Sequence, residues 1–409
     1  MILNVCAMRT DKIPALNTYR DIRHATLITI CHPDLSMATP FCPHFSRCGG
    51  CASQNIAYED QLLEKHKVVA KAFNESGIDF PIDPVSPSPK TRFYRNRMDF
   101  VVWPPQILGL REKGKWNQVI DIKKCFIFTE DSDHILEILR SHFKKHNLTA
   151  YDQKTKQGFL RYAVIRAAKF TQDKMITLVT NSGDIPGLDE LESHLRPLNI
   201  VSFYQSINEG IADTSSGAPK LLWGKPYITE EIQNLKFSIT PNCFFQTNPY
   251  QASELFQYVK EKVRTLKPRT LMDLYCGVGA FSLILSDTVE QITGIEAVGD
   301  SIEMGRFNKE QNKISNVTLL AGDVEVILDN HKEDVDIILV DPPRGGLSKK
   351  ARMHIQRIRP PNLIYVSCNP NTLAQDIAQL GMYKIKSIRP FDLFPHTPHV
   401  ECVVALTLK

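Results

Sequence analysis

No apolar run in this chain approaches the roughly 18 to 20 residues that a membrane-spanning helix needs. Its start, Met1 to Pro14, lacks the basic, then apolar, then small-residue order of a secretory signal. Internal repeats and low-complexity tracts are missing as well, so neither a repeat array nor a biased linker organises it. Net charge is nearly missing too: 49 Lys and Arg against 45 Asp and Glu leave +4, too little to name a polyanionic partner. These absences point to a cytoplasmic, non-membrane protein, expected to act as a monomer. The ten cysteines are then read for metal binding or catalysis and not as a disulfide framework. With 409 residues, 43% hydrophobic and 23% charged, the chain has the composition of a globular protein of two or three domains.

The local charge distribution says more than the total. Between Lys90 and Lys124, nine basic residues face three acids (Asp99, Glu112, Asp121), interleaved with Phe93, Tyr94, Trp103 and Trp116. That mix suits a phosphate backbone with unstacked bases. A solvated basic face over core aromatics fits the composition equally well. Upstream, C-P-H-F-S-R-C-G-G-C brings Cys42, Cys48 and Cys51 close in sequence, and Gly49 and Gly50 let the backbone fold around an inorganic centre. Cys125, in K-K-C-F-I-F, is the candidate fourth thiolate of a cubane cluster. The spacing leaves open a structural zinc with His44 or His66 as its fourth ligand.

Residues 1–40 read as an irregular extension, and 41–130 as the cysteine segment with the start of a central domain. Helices are predicted over Tyr58 to Phe73 and Asp133 to His146. Strands are predicted at Met98 to Val102, Gln118 to Ile122, Leu160 to Ala168, Met175 to Thr180, Ile200 to Ile207 and Phe237 to Thr240, giving an α+β central domain over 90–240. Over 241–409 the pattern becomes α/β. Short apolar runs at Leu271 to Leu274, Gln291 to Ile295, Val317 to Leu320, Val335 to Val340, Leu363 to Val366 and Tyr383 to Arg389 alternate with helical stretches, and a last run covers His399 to Leu406. This implies a doubly wound, Rossmann-like sheet with an edge hairpin, whose ligands bind at the carboxyl ends of its strands.

Every chemical motif falls at such a strand end. D-L-Y-C-G-V-G carries Gly277 and Gly279, but Ser282 stands where a dinucleotide fingerprint wants its third glycine. Glu296 ends the next strand, where a carboxylate accepts both ribose hydroxyls, and Asp323 is placed to meet an adenine amino group. A nucleoside without pyrophosphate fits, which points to S-adenosylmethionine over NAD. Asp341 to Arg344 read D-P-P-R, and arginine in the place of a stacking aromatic disfavours amino-group methylation. On the next strand Y-V-S-C-N-P sets Cys368 where a buried strand emerges into a loop. A thiolate that adds to C6 of a pyrimidine makes C5 nucleophilic and leaves again by β-elimination. Glu401, in H-V-E-C-V-V, is the available base for the C5 proton. In isolation, Cys368 as a small core residue and Glu401 as an edge charge are the plainer readings. Cys276 and Cys402 are rival thiols near the site. In P-N-C-F-F-Q-T-N-P, Gln246 and Asn248 are candidate ligands of cofactor or base, and Phe244 and Phe245 read as packing residues.

Together, F-F-Q-T-N-P, D-L-Y-C-G-V-G, D-P-P-R, Y-V-S-C-N-P and H-V-E, in that order, resemble the RNA 5-methyluridine methyltransferase family from Cys42 to near the C-terminus. The resemblance implies Cys368 as nucleophile and Glu401 as base. It implies Gln246, Tyr275, Glu296 and Asp341 as cofactor contacts, with Asp341 also near the target base. It further implies a [4Fe-4S] cluster on Cys42, Cys48, Cys51 and Cys125, and RNA contacts by the Y-R-N-R of Tyr94 to Arg97. Some members have asparagine where Ala280 stands, and many begin with a small β-barrel that the first forty residues are too short to form. The expected substrate is a uridine of RNA, 23S ribosomal RNA over tRNA. The alternatives are uridine 54 of tRNA, C5 of cytosine, or a non-catalytic iron–sulfur RNA-binding protein.

Overall fold

The computed structural model describes residues 35–409; the rest of the expected extension, with Cys6 and Cys31, lies outside the described residues. Residues 36–38 pair with 55–57 through Ala38 N to Asn55 O (2.9 Å) and Ala57 N to Ser36 O (2.8 Å). Helix α1 (Tyr58–Glu75) follows, close to its predicted span, then β1 (Arg97–Trp103), β2 (Ile107–Glu112), β3 (Lys115–Asp121), α2 (Ser132–Lys145), β4 (Leu160–Ala167), β5 (Lys174–Thr180), α3 (Leu188–Leu195), β6 (Ile200–Ile207) and β7 (Ala218–Gly224). The seven strands form one sheet in the order β3-β2-β1-β4-β5-β6-β7, antiparallel except for β5 against β6. Every residue of β4 and β5 is buried, which explains why both were legible as apolar runs. Strands β2 and β7 were not predicted. Polar Lys220 and a Pro219 tolerable only at an edge blur the period of β7.

A short hairpin, β8 (Ile228–Ile232) and β9 (Leu235–Ile239), precedes the second sheet. That part comprises α4 (Pro249–Leu266), β10 (Thr270–Leu274), α5 (Ala280–Ile284), β11 (Gln291–Glu296), α6 (Gly299–Gln311), β12 (Val317–Ala321), α7 (Val324–Asn330), β13 (Ile337–Val340), α8 (Lys349–Ile358), β14 (Asn362–Ser367), α9 (Pro370–Gln379), β15 (Tyr383–Phe391) and β16 (Glu401–Leu408). Its order is β12-β11-β10-β13-β14-β16-β15. The first five strands are parallel, and strand order reverses at β10, so the crevice lies beyond the carboxyl ends of β10 and β13. The last two strands form the expected hairpin, but β16 inserts between β14 and β15, antiparallel to both. Among the described residues no helix is long and apolar enough to cross a membrane.

Candidate active site

Three strand ends build the centre. Cys368 follows β14, whose continuation Asn369-Pro370 starts α9: Asn369 caps the helix and Pro370 takes its first turn, where a missing N–H costs nothing. The antiparallel pairing of Ser367 with Cys402 sets Glu401 beside Cys368. Asp341 follows β13, and Gln246 Nε2 donates to its Oδ2 at 3.2 Å. The Y-R-N-R segment positions Gln246, because Asn96 Nδ2 donates to Gln246 O at 2.9 Å and Asn96 N to Thr247 O at 2.8 Å.

The electrostatics tie these groups together. Burial, then the Glu401 and Asp341 charges, push the Cys368 thiol up to about 11, with Arg344 opposing. Burial, then the Asp273 carboxylate, raise Asp341 to about 7, against the Gln246 hydrogen bond. The Glu401 carboxyl is raised well above the ordinary carboxylate range by burial and by Asp341. A buried carboxyl whose proton is held more tightly than an ordinary glutamate's, beside a half-buried thiol, is suited to proton transfer. Of the rival thiols, Cys402 is wholly buried and Cys276 nearly so, whereas Cys368 is partly open.

The cofactor candidates gather at the β10 and β11 ends. Tyr275 (φ 64°) and Gly277 (φ 55°) take left-handed backbone conformations, costly for a tyrosine and natural for glycine. A Cβ at Gly277 would meet nothing within 4 Å, so the loop leaves room for a ligand. Glu296 accepts from Gly277 N at 3.1 Å and from Val298 N at 2.9 Å, which orients its carboxylate at the loop mouth. Asp323 is exposed, and its Oδ1 caps α7 by accepting from Glu325 N (2.8 Å) and Val326 N (3.1 Å); the other oxygen is left for a ligand. Sequence reading missed Asp273. This fully buried carboxyl is held at about 7 and accepts Ser282 N (3.0 Å) and Ser282 Oγ (2.6 Å), pinning the glycine loop from beneath. Only its place in D-L-Y-C-G signalled it.

Two expectations are corrected. Asn248 is wholly buried, caps α4 through Gln251 N (3.2 Å), and donates to Leu393 O (3.1 Å) and Ser88 Oγ (3.0 Å), so its side chain is consumed structurally. Phe245 packs on Phe237 as expected, but Phe244 is 61% exposed.

Cys42, Cys48, Cys51 and Cys125 line one cavity with Phe45, Leu110 and other residues. His44 joins them, while His66 faces Ile82 O (3.3 Å) instead. Burial raises all four thiols, Cys51 to about 11 and Cys125 to about 12, with mutual repulsion adding to the rise at Cys48, Cys51 and Cys125. Among the described residues no group of three ligand-type side chains is placed to hold a metal ion as it stands. The cysteine segment also holds the approach to β16. Ala52 N and Ser53 N donate to His396 O (2.8 and 3.1 Å), and Tyr94 Oη donates to Pro395 O (3.0 Å). Between this segment, β1 and the Phe394–His399 turn lies a groove of about 560 Å³ lined by Arg95, Arg97, Arg111 and Tyr162.

The sequence pattern of the tRNA (Uracil-5-)-methyltransferase family matches residues 57–409. The tRNA (uracil(54)-C(5))-methyltransferase of Pyrococcus horikoshii is 38% identical over 365 residues, covering 89% of this chain and 85% of that one. An uncharacterized RNA methyltransferase of Clostridium tetani is 35% identical over 381 residues, covering 90% and 84%. The crystal structure of the Pyrococcus abyssi tRNA (uracil-54, C5)-methyltransferase in complex with S-adenosyl-L-homocysteine superposes with a TM-score of 0.77 at 34% identity, over 88% of this chain and 86% of that one. Both substrates named there are tRNA, whereas the sequence pointed to ribosomal RNA. The convergence of Cys368, Glu401 and Asp341 at one sheet edge and the family match over most of the chain agree: the chain belongs to the tRNA (uracil-5-)-methyltransferase family, as an S-adenosylmethionine-dependent RNA uracil-C5 methyltransferase.

Proposed function

We propose that the substrate is a uridine of tRNA, of the uridine-54 kind, and that Cys368 and Glu401 carry the reaction. The observation that carries the catalytic roles is the register that sets Glu401 beside Cys368 with Asp341 on the neighbouring strand. The choice of tRNA over ribosomal RNA is supported by the named relatives. The target base leaves its stack to reach the thiol, at a cost of a few kcal/mol. Cys368 attacks C6 as its thiolate, its proton having gone to solvent, the C5–C6 π electrons move to C5 and the C4 carbonyl, and Asp341 with Gln246 holds the base. Gln246, Tyr275, Gly277, Glu296, Asp323 and Asp341 would hold S-adenosylmethionine, which would supply the electrophilic methyl group for C5 and leave as the neutral thioether once its S–CH3 bond breaks. Glu401 then takes the C5 proton, and the electrons of that C–H bond restore the double bond as the thiolate departs.

Cys42, Cys48, Cys51 and Cys125 fit a [4Fe-4S] cluster in the chemistry of their donor set: four thiols line one cavity walled by apolar side chains. A cluster there would neutralise their mutual repulsion and hold the segment that braces His396. The segment over 90–240 would carry RNA and that over 241–409 the methyl donor, in the cytoplasm.

Incubation with a 5-fluorouridine tRNA transcript tests the roles, since fluorine at C5 cannot leave as a proton. The native enzyme should be trapped as a covalent adduct. Cys368→Ala should form none, and an adduct in that variant refutes the nucleophile. Methylation of a ribosomal fragment but of no tRNA transcript refutes the substrate. Iron and sulfide assays on anaerobically purified protein test the cluster; stoichiometric zinc in a colourless protein rules it out.

A further inference from the structure

Resting on the reading of RNA as substrate, we propose that the Arg111 guanidinium is a phosphate-binding site of the groove, filled in the free enzyme by the protein's own Asp213 until RNA displaces it. The groove holds three arginines, and they are not equally open. Among the described residues the Arg95 guanidinium meets no carboxylate and donates only to Arg97 O (2.9 Å). Arg97 is held by both oxygens of Asp99 (2.8 and 3.1 Å). Arg111 is held by Asp213.

The Arg111 site has the form of an anion cradle. Its guanidinium stacks over Trp103, 4.8 Å from the ring centre, and a second nitrogen is tied to Trp116 O. Its backbone oxygen accepts from Gly49 N at 2.9 Å, so the strand cannot shift away from the cysteine segment. One Asp213 oxygen accepts from the other terminal guanidinium nitrogen and the other oxygen accepts from the Tyr162 hydroxyl. Burial and the Asp213 carboxylate push Tyr162 up to about 12, so it remains a donor at neutral pH. A guanidinium and a phenol that together hold the two oxygens of one anion match the two unesterified oxygens of a phosphodiester as well as a carboxylate.

The Asp213 side is a separate surface loop. It sits on the β6–β7 connection, which closes on itself: Asn208 Nδ2 donates to Thr214 Oγ1 (3.0 Å) and Ser216 O (2.8 Å), and Asn208 Oδ1 accepts from Gly210 N (3.0 Å). At its tip Ile211 is 74% exposed. The same loop reaches the second counter-ion, with Ser215 Oγ donating to Asp99 Oδ2 at 2.5 Å. One loop therefore touches the acids that neutralise two of the three groove arginines. With side chains 25% and 35% exposed, the Arg111–Asp213 pair adds little to stability, and its larger effect is to screen the groove.

The test is the affinity of an unmodified tRNA transcript as a function of salt, with methylation measured on the same samples. Asp213→Asn should bind about 3- to 10-fold tighter than the native enzyme. Arg111→Gln should weaken binding and flatten the slope of log Kd against log salt by about 0.7 to 0.9, the loss of one phosphate contact. In the Asp213→Asn/Arg111→Gln double variant the gain should vanish, which separates a local contact from a general change in charge. The proposal is overturned if Asp213→Asn binds no tighter, if Arg111→Gln leaves the slope unchanged, or if the gain survives in the double variant. Should Asp213→Asn fold poorly, Asp213→Ser takes its place under the same criterion. Failure of the substrate reading appears separately, as native enzyme that methylates no uridine in the transcript.

Discussion

Glu401→Gln should make Cys368 more reactive while it stops turnover, and the cause is electrostatic. With its thiol pushed up to about 11, the ligand-free enzyme holds a thiolate fraction on the order of 10⁻⁴ at pH 7. Glu401 is its neighbour across the β14–β16 pair, roughly 5 Å away by strand geometry. Two unit charges at that distance and an effective dielectric of about 20 repel by roughly 3 kcal/mol. Discounted for the partial exposure of Cys368, this becomes about 1 to 2 pH units. The effect has its own pH signature. Burial and Asp341 raise the Glu401 carboxyl, so at low pH it is neutral and its replacement changes nothing. At higher pH the native carboxylate forms and opposes thiolate formation, whereas glutamine does not. Alkylation of Cys368 by iodoacetamide, followed by peptide mass spectrometry with Cys368→Ser as blank, should show a variant-to-native rate ratio that is near 1 where the native carboxyl is still neutral. It should climb toward about 10 as rising pH ionises Glu401. A ratio that is flat or below 1 across that rise refutes the arrangement. In the same variant methyl transfer should fall, and a 5-fluorouridine adduct should still form.

Two further outcomes test the supports of the site. Asp273 has its folded carboxyl raised to about 7 from an ordinary 3.8, so the fold favours its neutral form: its contribution is fully present below about pH 4 and is lost as pH rises through 7. Asp273→Asn keeps an oxygen for both Ser282 donors and should raise stability at pH 8, by an amount on the order of 1 to 3 kcal/mol, with no gain at pH 4. Thermal melts at the two pH values measure this, and equal shifts at both rule it out. At Gly294, on β11, an added Cβ would lie 2.6 Å from Leu319 Cδ2, 2.8 Å from Ser282 Oγ and 3.0 Å from Cys276 Sγ. Gly294→Ala should therefore cost about 1 to 3 kcal/mol and loosen the cofactor loop, raising the KM for the methyl donor more than it lowers kcat. An unchanged denaturant midpoint contradicts this.

The residues that sequence alone located are those whose signal is local. Alternating apolar runs and helical stretches were enough for the parallel strands β10 to β14. Once those are placed, Glu296, Asp341 and Cys368 must stand at their carboxyl ends, because a buried strand ends where polar and proline residues begin. The four cysteines that line one cavity stand out in the sequence as a spaced cluster plus the thiol of K-K-C-F-I-F, although Cys125 lies in the loop after β3 and not at the strand start expected of it. Tertiary structure decided the rest. Glu401 becomes a partner of Cys368 only because β16 inserts antiparallel beside β14, and register between distant strands is written in no local pattern. Asn248 and Gln246 stand two residues apart in one motif, yet one is spent capping a helix and the other reaches Asp341. Phe244 and Phe245 are adjacent, and backbone direction alone exposes the first and buries the second. Arg111 and Asp213 are 102 residues apart, and only the folded groove brings that cation and its internal anion together.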